Sequence, residues 1–338
     1  MKHDKRIGLV LGKFMPIHAG HMALINFAVN QCDEVYVLVG ATPREPIPGP
    51  LRFSWVQQVY VAFPKVHVVY TDAEFPEDNE PNRTVSEAWA NFLKVNYPMV
   101  THLFTSEGYG DYVAEYMGIE HVSFDPGRHQ KPISATMIRS NPFKYWEHIP
   151  RPVRHYYTRK ICLVGPESTG KSTMTKMLAK YFDTSYIHEV ARDMMDTSYT
   201  CTYEDMARIA KAQAHGARNR VGTANKVIFC DSDLLTTKVY SKYLFGKVPR
   251  FPKWVQEVNK YDLYLFMEAD VPYVQDGTRL GAHTRPELRE LFFKAVVKSK
   301  VPYAVITGAD WKHRFKAAVQ AVEIKFPELQ LAPLLRHR

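Results

Sequence analysis

Short apolar runs alternate with helix-length amphipathic segments along most of the chain. Ile7 to Leu11, Val35 to Val39, Val66 to Thr71, His102 to Thr105 and Val122 to Phe124 predict five strands in the first half. Met22 to Asn30 and Arg52 to Phe63 read as helices, and Thr84 with Glu87 predicts a capping box opening a helix that runs to Val95. Asp72 to Arg83, rich in Pro, Asp, Glu and Asn, reads as a loop. Buried strands alternating with helices imply a parallel sheet covered on both faces, with ligands at the carboxyl ends of its strands.

The alternation breaks once. Pro142 to Thr158 holds three prolines and a cluster of aromatic and basic residues without a long apolar period. A boundary there divides the chain into domains over 1–150 and 158–338. Strands then resume at Ile161 to Val164, Ser185 to His188, Val227 to Cys230, Asp262 to Glu268 and Tyr303 to Thr307. Met174, Met177, Leu178, Tyr181 and Phe182 mark the apolar face of a helix after the first of these, and Tyr203 to Val221 forms a long second one. Thr284 and Glu287 predict the cap of a helix ending near Lys298. The fold class is α/β, with two parallel-sheet domains.

Composition narrows the function classes. A chain of 338 residues, 46% hydrophobic and 23% charged, suits two globular domains with full cores. No apolar run reaches membrane-span length and no secretory leader is expected. The four cysteines lie scattered without a C-x-x-C pair, which points to reduced thiols in a cytoplasmic protein. The net charge of +9 is dispersed rather than gathered into a basic arm, which favours small anionic ligands over nucleic acid.

The sharpest chemical signal is Gly165-Pro-Glu-Ser-Thr-Gly-Lys-Ser-Thr173, which matches G-x-x-x-x-G-K-[ST] between a strand and a helix. The glycines let successive N–H groups converge on one anion at the positive end of the following helix. Gly165, Glu167, Ser168, Thr169, Gly170, Lys171, Ser172 and Thr173 are therefore candidate ATP contacts, with Lys171 on the β- and γ-phosphates and Ser172 on Mg²⁺. Asp231, at the end of a strand, is placed to steer the same ion. Glu189 is the first candidate to face an attacking hydroxyl, with Asp193 and Asp233 behind it; a glutamate at a helix start is the competing reading. Arg279 reads as a lid arginine, Arg192 as a phosphate neutraliser, and Trp254, Tyr240 and Tyr243 as aromatics that stack a ring or fill the core.

In the first half, Gly12-Lys-Phe-Met-Pro-Ile-His-Ala-Gly-His21 leads from strand to helix. Its two histidines, three residues apart, share a face beside the positive helix end. Gly20 removes a side chain that would block a base or ribose. Lys13 supplies a cation, and Ser134 is expected to cap a short helix that holds a triphosphate with Thr136 and Arg139.

The string Gly12, Phe14, Pro16, His18, Gly20, His21 resembles the HIGH-type signature of nucleotidyltransferases, and Ile133-Ser-Ala-Thr-Met-Ile-Arg139 resembles the I-S-x-T-x-x-R motif of adenylyltransferases. An adenylyltransferase followed by a phosphate-loop kinase is similar to the NadR-type bifunctional enzymes. Ser106-Glu-Gly-Tyr-Gly110, Glu189-Val-Ala-Arg192, Asp231 to Thr237 and Asp276-Gly-Thr-Arg279 carry the likeness further. The resemblance implies a Rossmann-like nucleotidyltransferase sheet followed by a P-loop kinase sheet. It implies phosphorylation of ribosylnicotinamide to nicotinamide mononucleotide (NMN), then adenylyl transfer from ATP to NMN, giving NAD and pyrophosphate. ATP, ribosylnicotinamide, NMN and NAD are the implied small-molecule partners, and the family is compatible with a homo-oligomer. A repressor role is not expected. The rival readings are a phosphopantetheine adenylyltransferase joined to a dephospho-coenzyme A kinase, and a nucleotide sensor without turnover.

Overall fold

The computed structural model describes residues 5–74, 82–127, 129–195, 200–277, 279–308 and 310–330. The chain separates into two compact units, Met1–Val153 and Arg154–Arg338.

In the first unit the order is β1 (Ile7–Gly12), α1 (Ala19–Val29), β2 (Glu34–Gly40), α2 (Gly49–Tyr60), β3 (Val66–Thr71), α3 (Arg83–Asn96), β4 (His102–Thr105), α4 (Tyr109–Met117), β5 (Glu120–Ser123) and α5 (Ala135–Ser140). The strands form one parallel sheet in the order β3-β2-β1-β4-β5. Val10 of β1 registers with Val37 on one side and Phe104 on the other, all nearly inaccessible. Burial on both faces explains why these strands read as continuous apolar runs. Because β1 pairs with β2 and β4, the loop leaving β1 opens at the point where the strand order reverses, the usual ligand position in such sheets.

The short helix α6 (Arg151–Tyr157) precedes the second sheet. Then follow β6 (Arg159–Val164), α7 (Lys171–Tyr181), β7 (Tyr186–Ile187), α8 (Ala191–Met194), α9 (Tyr203–Val221), β8 (Val227–Asp231), α10 (Leu234–Phe245), α11 (Lys253–Val258), β9 (Leu263–Met267), α12 (Arg285–Ser299), β10 (Tyr303–Ile306) and α13 (Trp311–Lys325). The parallel order is β10-β9-β6-β8-β7. Central β6 registers Leu163 against both Asp231 and Leu265. The phosphate loop thus leaves the sheet beside Asp231. Among the described residues no helix is long and apolar enough to cross a membrane.

Local signals at helix starts need correction. Helix α1 begins at Ala19 rather than Met22, because His18 caps it. Proline in the first turn of α2 starts that helix at Gly49, three residues ahead of Arg52. The Thr84–Glu87 box does not form: Asn82 caps α3 by accepting from Thr84 N at 2.8 Å, so Thr84 is already helical. Thr284 precedes α12 but lies in the right-handed helical region, and its hydroxyl donates to Gly281 O at 2.8 Å instead of capping. A capping box is present where none is predicted, between Thr202 and Asp205 at the head of α9. Within the predicted loop Asp72 to Arg83, residues 75–81 lie outside the described residues.

Candidate functional site

In the first unit His18 holds the extended backbone of an N-cap, and its Nδ1 accepts from Gly20 N at 3.1 Å and His21 N at 3.4 Å. An imidazole nitrogen that accepts two N–H groups is unprotonated, so the ring proton of the neutral form sits on Nε2. The His18 and His21 rings stack with centroids 3.8 Å apart. A Cβ on Gly20 would stand 3.0 Å from His18 Cε1. A side chain at position 20 would therefore press on the imidazole, and Gly20 borders the same cavity as both histidines. Phe14 is 1% exposed with its edge against His21, so it supports the imidazole pair from beneath.

The second motif closes on the first. Ser134 caps α5 as predicted, accepting from Met137 N at 3.2 Å. Arg139 donates to Met15 O at 2.6 Å and to Thr136 Oγ1 at 3.1 Å, tying α5 to the loop after β1. Gly12, Lys13, Phe14, His18, His21, Ser134, Thr136 and Arg139 all line one cavity of about 1140 Å³. Two further features at or behind this cavity had no signal in the sequence. Arg52, fully buried, donates to Ile47 O at 2.9 Å, Gly40 O at 3.2 Å, Lys13 O and Glu45, while Glu45 pairs with Lys13 Nζ at 3.1 Å. Trp89 of α3 also lines the cavity, its ring 3.3 Å from where a Cβ on Gly40 would stand.

In the second unit the phosphate loop needs left-handed backbone at Gly170 (φ 83°) and accepts it at Ser168 (φ 58°). A Cβ on Gly170 would lie 2.2 Å from the Trp311 ring. Lys171 is 8% exposed and folds back, donating to Gly165 O at 3.0 Å and Pro166 O at 2.9 Å. Arg314 of α13 is fully buried and braces the loop from below through Thr169 O at 3.1 Å, with Gly308 O, Glu268 O and Asp270. Nothing in the sequence marks Arg314 for this task, since its partners lie far away in the chain.

Glu167, Lys171, Glu189, Arg192, Asp233 and Arg279 line one cavity. Glu189 accepts from Ser232 Oγ at 3.3 Å and from Arg192 Nε at 3.0 Å. Asp276 joins Arg192 at 3.1 Å and Arg279 at 2.9 Å, so both candidate arginines meet on one carboxylate. Glu167 accepts from Leu280 N and Ser168 from Val274 N, each at 2.8 Å, which pins the Arg279 segment to the phosphate loop. Tyr240 lines the same cavity, and burial together with the charges of Glu167 and Glu189 raises its hydroxyl well above the usual tyrosine value.

Asp231 is 2% exposed, and its Oδ1 has no hydrogen-bond partner among the described residues. Burial, then the neighbouring Glu189 charge, lifts its carboxyl to about 6, while Lys171 and a hydrogen bond with Ser172 pull the other way. A buried, unpartnered carboxylate oxygen beside a serine hydroxyl fits a Mg²⁺ held mainly by phosphates and water. Among the described residues no cluster of three His, Cys, Asp or Glu side chains offers a ready-made cage.

Other expected residues lie elsewhere or are otherwise engaged. Trp254 does not line the cavity: it packs against His215 at 4.6 Å between centroids, beside Ala210, Ala214 and Val255. That neighbourhood is core, as aromatics at helical spacing usually are. Tyr243 likewise packs against the core of this unit. Asp233 borders the cavity, but its carboxylate is engaged in capping α10 through Thr236 N at 3.1 Å and in accepting from Tyr264 at 2.7 Å. Asp193 pairs with His188 at 2.5 Å on the surface. Thr173 is exposed on α7.

Two parallel α/β units, one with a paired-histidine nucleotidyltransferase loop and one with a phosphate loop, define a protein built to handle two nucleotides. Residues 160–314 match the family model described as an AAA domain. Over 95% of its length the chain is 31% identical to the trifunctional NAD biosynthesis/regulator protein NadR of Escherichia coli (strain K12), covering 83% of that protein. It is 30% identical to the counterpart from Salmonella typhimurium, again over 95% of the chain and 84% of the relative. The solved structure of a NadR protein in complex with NAD and AMP-PNP superposes with a TM-score of 0.77 at 21% identity, covering 96% of both chains. The chain belongs to the NadR family.

Proposed function

We infer that the protein makes NAD in two ATP-dependent steps: it phosphorylates ribosylnicotinamide to NMN and transfers the adenylyl group of ATP to NMN. The first step is assigned to the unit with the phosphate loop, the second to the unit with the paired histidines. One observation carries the assignment: the residues of two motifs more than a hundred positions apart, His18 with His21 and Ser134 with Arg139, converge on one cavity, in a chain related to NadR over 95% of its length.

In the kinase step the 5′-hydroxyl oxygen of ribosylnicotinamide bonds to the γ-phosphorus of ATP. The bond from that phosphorus to the β–γ bridging oxygen breaks, and ADP leaves. Glu189 takes the hydroxyl proton, with Arg192 and Ser232 holding its carboxylate. Lys171 exchanges its two loop carbonyls for phosphate oxygens, and Arg279 swings from Asp276 to the transferred group. Ser172 and Asp231 would hold Mg²⁺, which when bound neutralises phosphate charge. In adenylyl transfer an NMN phosphate oxygen bonds to the α-phosphorus and pyrophosphate departs. The nucleophile is already an anion, so no base is required. Catalysis rests on placement and on charge stabilisation by His18 Nε2–H, His21, Lys13 and Arg139. Trp89 offers a flat aromatic face of the kind that suits a pyridinium ring.

The four cysteines are all free thiols, which supports a cytoplasmic setting. A homo-oligomer is compatible with this reading. The experiment is direct: purified protein with Mg²⁺·ATP and ribosylnicotinamide, followed by mass spectrometry, should yield NMN and then NAD with ADP and pyrophosphate. Phosphopantetheine should yield neither dephospho-coenzyme A nor coenzyme A. Failure to form NAD from NMN and ATP would overturn the reading and leave the sensor alternative.

A further inference from the structure

The groups assigned to phosphoryl transfer come from two loops between which, among the described residues, no backbone hydrogen bond runs. Glu189 and Arg192 follow β7, whereas Asp231 ends β8 and Ser232 follows it, and β7 contributes only Tyr186 and Ile187 to the sheet. Such a short strand gives Glu189 little support from the ladder. Besides the hydrogen bond from Ser232 Oγ to Glu189 at 3.3 Å, a buried amide spans the gap. Gln213 of α9 is 5% exposed, and its Oε1 accepts from Val190 N at 2.9 Å. Its Nε2 donates toward His188 O at 3.2 Å, Ser232 O at 3.3 Å and Asp231 O at 3.4 Å. The N–H donor on one side and three carbonyls on the other leave only one orientation of the amide that satisfies the site.

Gln213 therefore grips the residues immediately before and after Glu189, as well as the metal-side pair Asp231 and Ser232. We propose that Gln213 is a positioning residue of the kinase, fixing the distance between the carboxylate that faces the nucleophile and the carboxylate that faces the metal. The proposal rests on the kinase assignment above. Gln213 borders the cavity, but its polar atoms are committed to backbone, so its contribution is positional. Buried amides satisfied at every atom hold a unique arrangement, and a half-satisfied one loses it. A mispositioning of about 1 Å at a reacting group costs roughly 100-fold in rate.

The test uses the full chain and two variants. Gln213→Met keeps the volume and removes all four hydrogen bonds. Gln213→Glu keeps the acceptor for Val190 and sets a carboxylate against three carbonyls. The wild type must first convert ribosylnicotinamide to NMN; if it does not, the kinase assignment fails rather than this proposal. With that established, both variants should lower kinase kcat by about 10- to 100-fold. The KM for ATP should stay within about twofold, because the phosphate loop binds ATP without Gln213. Glu189→Gln combined with Gln213→Met should be scarcely slower than Glu189→Gln alone, since a misplaced base and an absent one are equivalent. The adenylyl transfer rate, measured on the same preparation, fixes the active concentration. Should the methionine variant lose ATP binding through local unfolding, the glutamate variant carries the test. Wild-type kcat in a variant that binds ATP, a parallel rise in KM for ATP, or fully multiplicative effects in the double variant would each overturn the proposal.

Discussion

On the proposed function His18 has two physical tasks, helix cap and donor, and they separate by substitution. Its Nδ1 accepts from Gly20 N and His21 N as the cap of α1, and that acceptance makes Nε2 the donating nitrogen. His18→Ala removes both tasks, whereas His18→Asn keeps a cap, because asparagine is among the best N-cap residues and the backbone there is already extended. Loss of the cap costs about 1 kcal/mol, which lowers Tm by about 2–4 °C for a unit of this size. Loss of a preorganised donor to the developing charge costs roughly 100- to 1000-fold in kcat, or about 2.7–4 kcal/mol. Both variants lose the ring stack on His21 alike, so the comparison isolates the cap. Adenylyl transfer is read by coupling NAD formed from NMN and ATP to alcohol dehydrogenase and following NADH absorbance. We expect both variants to lose at least about 100-fold in rate and only the alanine variant to melt earlier. His18→Asn with near-wild-type turnover would refute the reasoning and reduce His18 to a helix cap.

Three further outcomes follow from single contacts. Gly170→Ala would force a Cβ onto left-handed backbone and to 2.2 Å from the Trp311 ring; kinase activity should fall by about tenfold or more, with strain of about 1–2 kcal/mol, while adenylyl transfer is unchanged. Trp254→Ala should cost about 2 kcal/mol or more in stability yet leave the KM for ribosylnicotinamide unaltered, because Trp254 packs on His215 away from the cavity; a large KM increase would restore it as a stacking residue. In metal-free protein the Asp231 carboxyl is raised to about 6 by burial and Glu189. Its contribution to stability is therefore fully present below the ordinary carboxylate value and is lost as pH rises through about 6. Thermal melts in EDTA should show that loss in the wild type and not in Asp231→Asn, and Mg²⁺·ATP should offset it at neutral pH.

Much of this molecule is legible in sequence because its sheets are buried on both faces. Continuous apolar runs such as Val35 to Val39 and Val227 to Cys230 locate strands without any knowledge of their neighbours. The two candidate phosphate-binding motifs are also legible, since each is a short contiguous loop whose glycines and cap residues sit next to one another in the chain. Helix starts are less so: Asn82, not Thr84, caps α3, because either residue type satisfies an N-terminal N–H and only the chain path decides. The packing at Gly20 is hidden for a related reason. The ring that a side chain there would meet, that of His18, is two positions away, and only the folded loop brings it against Gly20. Least legible are the supports. Arg52, Gln213 and Arg314 act through backbone carbonyls, and a carbonyl has no signature in a sequence. Trp254 shows the opposite case: of the two readings open for it, packing against the core is the one the fold takes.

The central claim is that two independent catalytic sites act in sequence on one pyridine substrate. Complementation measures it most directly. Lys171→Ala, lacking the phosphate-loop cation, should convert NMN but not ribosylnicotinamide to NAD. His18→Asn should convert ribosylnicotinamide to NMN and stop there. Mixed in one tube with Mg²⁺·ATP and ribosylnicotinamide, the two variants should make NAD, with free NMN passing between them. If either substitution silences both half-reactions in a folded protein, or if the mixture makes no NAD, the two-site account is contradicted.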